Sequence, residues 1–537
     1  MEGLMELGVL IAAVVVIACV LLNTISHKIG VPVLFAFILL GMFFGVDGLF
    51  KIDFRDFVFA ENVCTVALIF IMFYGGFGTN WKAAKPVALQ AGLLATWGVL
   101  GTAALTAIFC HFALHVSLLD SMLIGAVLSS TDAASVFSIL RSKKLGLKYK
   151  TASVLELESG SNDPMAYMLT ILVMSMMDGG GGVEEVLRIL ISQFFFGIVA
   201  GVVLALSAVF ILSKLDFKTA GFDMSFLIGI ALLSYSLAAV VQGNGYLAAY
   251  LCGIILGNSN INNKKALVNF FDGITGLMQM LLFFILGLLS NPSMLPRVFL
   301  PALALMLFLT LVARTIPVFL TFLPFRRPVR QMTFISFAGL RGAASIVFAV
   351  IATVGSSNLQ YDLYHIVFCI VLLSIAFQGS FLPFFAKKLK MLGGSDVMRT
   401  FTDYSDELEI GFIKVNVPEG HSWAGCRLDE IILPPESLIV MMFRDGKEMI
   451  PDGKTVVRTG DMIVLASYEF ENDDLIYLKE LRIKPTSHWI GLTIKDFSPM
   501  SGELVIMIIR EGQSVIPKGD TVIQSGDILV INSKHHL

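Results

Sequence analysis

Thirteen long apolar segments fill the first 390 residues of this 537-residue chain, and no other feature limits its fold as strongly. They run at roughly 4–24, 31–46, 57–78, 87–113, 117–140, 152–177, 186–213, 224–241, 245–258, 268–290, 297–323, 332–354 and 361–386. A helix needs about 20 apolar residues to cross a bilayer, so residues 1–390 read as a polytopic, all-α membrane domain of about 13 transmembrane helices. The second and ninth segments are short, a feature of transporters built from repeats. Only 15% of the chain is charged, against about 25% in average proteins, which excludes a soluble single-domain enzyme. The net charge of −3 and the lack of basic runs argue against a nucleic-acid partner. The six cysteines show neither zinc spacing nor a disulfide framework and read as small buried hydrophobes. No bound cofactor is expected.

Lys and Arg in the connecting loops set the orientation. With the N-terminus outside, the inner loops and the segment after the last span carry 18 of these residues and the outer loops 4. The inner set includes Lys82, Lys85, Arg141, Lys143, Lys144, Lys218 and Arg326. An odd number of spans then places everything after residue 390 in the cytoplasm.

Charge and patterning change at that point. Residues 1–390 carry 24 Lys+Arg and 18 Asp+Glu, whereas residues 391–537 carry 14 and 23. The tail alternates apolar with polar residues, and 391–402, opening with Met391-Leu392-Gly393-Gly394-Ser395, reads as a linker. Beyond it the sequence repeats at an offset of 66: aligning 423–467 with 489–533 gives 15 identities in 45 positions without a gap. Trp423 meets Trp489, Gly425 meets Gly491, Arg444-Asp445-Gly446 meets Arg510-Glu511-Gly512, Ile450-Pro451 meets Ile516-Pro517, and Gly460-Asp461 meets Gly526-Asp527. Each copy predicts three strands, placed in the first at Leu438–Phe443, Lys447–Ile450 and Met462–Ala466. Two small α/β modules packed together are expected, over 403–485 and 486–537.

An ionisable group inside a span is costly and points to function. Asp132 lies in span five, Glu156, Glu158 and Asp163 in span six, Arg314 in span eleven and Arg341 in span twelve. A cation stripped of water needs several hard oxygen donors; Thr131, Ser159, Asn162 and the Asp163 carboxylate can supply them. Glu158 and Asn162 share a helical face at i, i+4, and Pro164 removes a backbone N–H beside Asp163. A carboxylate away from water holds a proton more readily, so one acid can carry either a proton or a cation, which suffices for exchange. The competing reading is structural ion pairing, with Glu156 as a bundle acid. Glu158 is expected to pair with Arg341, and Arg314 to snorkel or brace the bundle.

Ser130-Thr131-Asp132, then Glu158-Ser159-x-x-Asn162-Asp163, then Gly339-Leu340-Arg341-Gly342 together resemble the monovalent cation:proton antiporter-1 family, closest to the NhaP-type potassium/proton antiporters of bacteria. The resemblance covers 1–390. It implies inverted six-helix repeats, a homodimer, and broken helices at spans five and twelve. It implies that Asp163 carries the ion and the proton, with K⁺ or Na⁺ at Asp163, Ser159 and Thr131, that Asp132, Glu158 and Asn162 are neighbours, and that Arg341 bridges Glu158. Asn162 stands where electrogenic relatives carry a second aspartate, which implies electroneutral exchange of cytoplasmic K⁺ for external H⁺ across a bacterial inner membrane. The first tail copy, from Val417-Pro418-Glu419-Gly420 to Gly460-Asp461, is similar to a TrkA-C (RCK_C) domain and implies regulation by the tail. The second copy departs at Met500 and Ser501, opposite Pro434 and Pro435. No G-x-G-x-x-G lies in the tail, so NAD control is not expected, while another nucleotide effector stays open. A Na⁺/H⁺ antiporter of the same fold and a tail-gated cation channel are the alternatives; the channel lacks a TVGYG-like filter.

Overall fold

The computed structural model describes residues 2–29, 33–142, 145–179, 182–214, 221–261, 263–356, 361–393 and 410–532, apart from 435–436, 445–446, 469–477, 486, 498–503 and 511–512. Lys143, Lys144, Lys218, Pro435, Met500, Ser501 and the Asp445-Gly446 and Glu511-Gly512 pairs lie outside these residues. The chain forms two compact units, Met1–Asp406 and Glu407–Leu537.

Each of the thirteen apolar segments is a helix or an interrupted helix: α1 Glu2–Ile29, α2 Val33–Phe44, α3 Phe57–Phe77, α4 Trp81–Ala113, α5a Leu118–Val127 with α5b Ala133–Ser142, α6 Thr151–Met177, α7 Val183–Lys214, α8 Phe222–Val240, α9 Gly245–Gly257, α10 Lys264–Leu289, α11 Pro292–Phe325, α12a Val329–Phe337 with α12b Ala343–Gly355, and α13 Leu363–Lys388. Seven of them (α3, α4, α7, α8, α10, α11 and α13) are individually long and apolar enough to span a membrane. Among the others, α6 has the length but carries Glu156, Glu158 and Asp163. Helices five and twelve are broken as expected, over Leu128–Asp132 and Ala338–Gly342.

Lipid is as apolar as the side chains, so helices in a membrane associate by close backbone packing at small residues. The α3–α9 contact works this way: a Cβ at Gly253 would lie 2.1 Å from the Phe73 carbonyl oxygen. One buried cluster draws on α4, α5b, α6, α11, α12a and α13, and another on α3, α7, α8, α9 and α10. A larger cluster joins the two groups through residues such as Ile38, Leu68, Ala166, Leu282, Val347 and Phe368. Short π-helical segments interrupt α4 at Leu94–Gly98, α11 at Leu309–Ala313 and α13 at Ser374–Gly379. The order π segment then break therefore occurs twice, seven helices apart, in α4–α5 and α11–α12.

The expected linker begins later than the sequence suggests. Met391 is buried, the Lys148 N–H donates to its carbonyl at 2.9 Å, the Gly393 N–H donates to Gly146 O at 3.2 Å, and Leu147 and Leu392 form an antiparallel bridge. Residues 391–393 thus belong to the membrane unit, clasping the α5b–α6 loop; 394–402 lie outside the described residues.

In the tail, β1 Ile410–Asn416, β2 Leu438–Arg444, β3 Lys447–Met449 and β4 Met462–Tyr468 form one antiparallel sheet of order β1-β4-β2-β3. The strands β5 Leu478–Arg482, β6 Leu504–Arg510, β7 Gln513–Val515 and β8 Ile528–Asn532 form a second of order β5-β8-β6-β7. Registers coincide at the 66-residue offset: Leu438 opposes Ala466 and Leu504 opposes Asn532, with an irregularity at 439/441 and at 505/507. One expectation is corrected. The second module begins at β5, so a division at 485/486 would cut it from its first strand; the recognisable repeat starts only at the tryptophans, after that strand. The described tail residues are strands and turns, with one 3₁₀ turn at Leu428–Glu430 and no α-helix.

The repeated residues have structural work. Gly460 and Gly526 have φ of +91° and +90°, a left-handed geometry that favours glycine. The aspartates after them each receive two hydrogen bonds from an arginine: Arg444 to Asp461 at 2.9 and 2.6 Å, Arg510 to Asp527 at 2.9 and 2.7 Å. Each arginine also donates to a backbone carbonyl, Val456 or Val522.

Candidate ion-binding site

The two breaks meet. The Asp132 N–H donates to Leu340 O at 2.8 Å, joining the interruption of helix five to that of helix twelve. A Cβ at Gly342 would stand 2.4 Å from the Asp132 carboxylate, so glycine is required for this approach. Each break exposes helix ends whose backbone groups need partners. At the start of α5b, Asp132 accepts from the Ser135 N–H at 3.1 Å and from the Ser135 hydroxyl at 2.5 Å, placing a negative group at the positive helix end. At the end of α5a, the buried Arg341 donates through Nη1 to the carbonyls of Leu128 and Ser130, a positive group at the negative end. The Arg341 N–H is held by Ser374 Oγ at 3.0 Å, at the head of the π segment in α13.

Helix α6 supplies the polar face packed against the first break. Ser159 Oγ accepts from the Ala133 N–H at 3.0 Å and donates to Thr131 O at 2.8 Å. Asn162 Nδ2 donates to Thr131 Oγ1 at 2.6 Å and to Glu158 Oε1 at 3.0 Å. The i, i+4 relation of Glu158 and Asn162 is therefore realised as a direct hydrogen bond. The expected Glu158–Arg341 pair is not formed. Glu158 instead accepts from Arg314 Nη2 at 2.7 Å, both side chains being 1% exposed. Arg314 directly follows the π segment of α11, and its N–H bonds five residues back to Leu309 O. Arg341 is occupied by the carbonyls of the α5 break. Sequence spacing names both arginines as intramembrane charges but cannot say which faces α6.

Asp163 is 7% exposed, and its Oδ1 has no hydrogen-bond partner among the described residues. It lines a cavity of about 50 Å³ with Ser130, Thr131, Asp132 and Gly342 from the breaks, and with Met72, Gln279 and Phe283 from α3 and α10. That is room for a small guest, since one water needs roughly 10–15 Å³ measured this way. Ser159 and Asn162 do not line it; they fix the Thr131 backbone and hydroxyl. Glu156 is half-buried, on the side of α6 that neighbours Tyr250.

The sequence reading missed three groups. Ser130, quoted in the family motif but given no role, and Gln279, which nothing in its spacing marks, face the cavity. Glu61 on α3 is the third. It neighbours Tyr167 and Tyr235, whose rings lie 4.9 and 5.0 Å from that of the buried Tyr246. Its position within a span was readable, but near a helix end an acid is ordinarily solvated.

Residues 12–388 match the family described as sodium/hydrogen exchanger, transmembrane. The chain belongs to that family. It is thereby a multi-pass membrane cation/proton antiporter of the NhaP type. Residues 478–534 match the TrkA-C domain, which is the second tail copy; the sequence reading drew the likeness from the motif of the first and took the second as a TrkA-C-like repeat of it. Among relatives, the K(+)/H(+) antiporter NhaP of Alkalimonas amylolytica is 31% identical over 465 residues, covering 86% of this chain and 81% of its own. The K(+)/H(+) antiporter NhaP2 of Shewanella sp. (strain ANA-3) is 32% identical over 473 residues with the same coverage. Among solved structures, the sodium proton antiporter MjNhaP1 from Methanocaldococcus jannaschii at pH 8 superposes with a TM-score of 0.64 at 24% identity, over 72% of this chain and 99% of that one. The exchanger match thus covers residues 12–388, most of the membrane unit.

Proposed function

We propose that this exchanger moves cytoplasmic K⁺ out in return for external H⁺, one for one, at Asp163. The observation that carries the reading is a buried carboxylate with an unpartnered oxygen facing a small cavity at the crossing of two broken helices. Ser130, Thr131 and Asp132 line the same cavity and complete an oxygen-rich shell for a desolvated cation, with Ser159, Asn162 and Glu158 holding that shell in place. K⁺ is favoured by the names of the relatives that match over 86% of the chain.

Charge counting supports electroneutral exchange. Asp132, Glu158 and Asp163 oppose Arg314 and Arg341, so the ionised site carries one net negative charge. One proton or one monovalent cation on Asp163 cancels it, and the loaded carrier is neutral either way. The loop-charge asymmetry supports an N-terminus outside and a cytoplasmic tail in a bacterial inner membrane. We extend the proposal to a homodimer whose TrkA-C tail sets activity, with a nucleotide as one candidate effector.

Dissipation of a pH gradient in proteoliposomes, compared for K⁺, Na⁺, Li⁺ and Rb⁺, tests the reading. K⁺ and Rb⁺ should collapse the gradient without a current on a solid-supported membrane, and Asp163→Asn should abolish the flux while the protein still folds. Exchange by Asp163→Asn at the parent rate would overturn the site assignment. Exchange of Na⁺ alone would overturn the ion assignment, and a current that reverses with the ion gradient would overturn the stoichiometry.

A further inference from the structure

A second cavity, of about 120 Å³, lies on another side of α6 from the ion site, where α4 and α6 meet α7 and α9. These two pairs belong to the two separately clustered helix groups, so the cavity sits in the seam between them. Its wall is mostly apolar, with Ala95, Met165, Met168, Phe194 and Leu247 contributing. Most polar groups around it are already used. Thr96 bonds to Gly92 O at 2.9 Å, and Asn244 donates to Pro164 O at 2.7 Å while accepting from the Leu247 N–H at 3.0 Å. Ser161 also lines it, beside Tyr250, and the buried polar atom left without a partner belongs to Gln193 of α7. It is 8% exposed, lines the cavity, and its Oε1 is buried with no partner among the described residues.

We infer that this cavity is a binding site for a small neutral compound with one apolar ring and one hydroxyl, and that Gln193 is its polar anchor. Size sets the ring count: a dry apolar cavity of about 150 Å³ takes benzene, so this one fits a single ring. Water is the weaker occupant, because a buried water needs two to four polar partners and, among the described lining residues, Gln193 Oε1 is the one buried atom without a partner. The two ends of an amide are hard to tell apart by position. A hydroxyl both donates and accepts, so it satisfies Gln193 in either orientation. Entry from the lipid suits an apolar ligand, and Phe194 is partly exposed beside the cavity. An occupant would touch Pro164, next to Asp163, and Asn244, whose hydrogen bond ties α6 to α9. It would therefore favour whichever arrangement of the two helix groups keeps the cavity open.

The test uses the full-length purified protein in detergent, with phenol and benzene as probes and thermal unfolding as the readout. Phenol should raise the melting temperature at concentrations at least ten-fold below those at which benzene does, since a site built to meet a hydroxyl rejects the analogue lacking it. In Gln193→Leu the phenol advantage should vanish. If that variant does not fold, Ala95→Leu, which narrows the cavity from the α4 side, should remove the response to both probes. Equal responses to phenol and benzene in the parent protein would overturn the inference, as would a phenol advantage that survives in Gln193→Leu or a phenol response that survives in Ala95→Leu.

Discussion

At the residue scale, the choice between two arginines decides how the site is held. Glu158 and Arg314 form a fully buried pair, and removing one member of such a pair leaves a charge that costs about 3–5 kcal/mol. Glu158→Gln should therefore lower the melting temperature strongly, and Arg314→Met added to it should recover much of the loss. Adding Arg341→Met instead should make matters worse, because Arg341 holds the carbonyls of Leu128 and Ser130 and its loss frees two buried acceptors. Equal melting of Glu158→Gln and Glu158→Gln/Arg314→Met would show that the pair contributes no coupling. The sequence showed the acids and their spacing well, because charges in apolar spans are rare and helical periodicity fixes which share a face. It could not show that Arg314 reaches Glu158: that contact depends on the π segment preceding it and on how α11 packs against α6, which lie 156 positions apart in the chain.

At the scale of elements, the crossing of the breaks and the tail clamps make separate predictions. Gly342→Ala places a methyl group within 2.4 Å of the Asp132 carboxylate, so the α12 break has to shift away from Asp132. Transport should fall at least ten-fold with little change in expression or monodispersity, measured as K⁺-dependent proton flux; flux at the parent rate would mean that the crossing tolerates more space than its geometry indicates. In the tail, hydrogen bonds from Arg444 hold the Asp461 carboxyl below its ordinary range. Burial is the largest influence on Asp527 and acts upward, but the bonds from Arg510, the Gln524 N–H and the Arg510 charge together outweigh it and the result is again downward. A depressed folded value means that each clamp stabilises its sheet above about pH 4, the ordinary aspartate value, and ceases to do so as pH falls through the lower folded value. Arg444→Gln should lower the stability of the β1–β4 sheet by about 2 kcal/mol at pH 7, a difference that disappears in acid. Hydrogen exchange of β2 and β4 in the intact protein, followed against pH, measures this. The three strands read in each copy were legible because alternation and glycine turns are local signals. The outer strands β1 and β5 were not, because they precede the recognisable repeat and are placed by pairing with β4 and β8, far along the chain.

On the scale of the whole molecule, the membrane unit and the tail are separate compact bodies, and the acids of the proposed site all lie in the first. A chain ending at Asp406 should therefore still exchange K⁺ for H⁺, with a changed pH profile if the tail sets activity. A folded truncation without flux at any pH would make the tail part of the transport machinery, and an unchanged profile would make it structural. Ending the chain at Lys390 is a different experiment. It also removes Met391–Gly393 and their backbone bonds to the α5b–α6 loop, and it should lower the melting temperature relative to the longer truncation. The composition shift near residue 390 marks the change of solvent correctly, but Met391 and Leu392 are a short apolar pair between Lys390 and two glycines, and nothing local shows that Met391 is buried.

That clasp also sets a load path. Tension on the chain beyond Gly393 is borne first by the short backbone bridge to residues 146–148, ahead of the last turn of α13. The loop it pulls on joins α5b, whose first turn is capped by Asp132, to α6, which carries Glu158, Asn162 and Asp163. A force applied to the soluble end is thus delivered to the two helices that frame the carboxylate, as a rope made fast to a crank rather than to the hull.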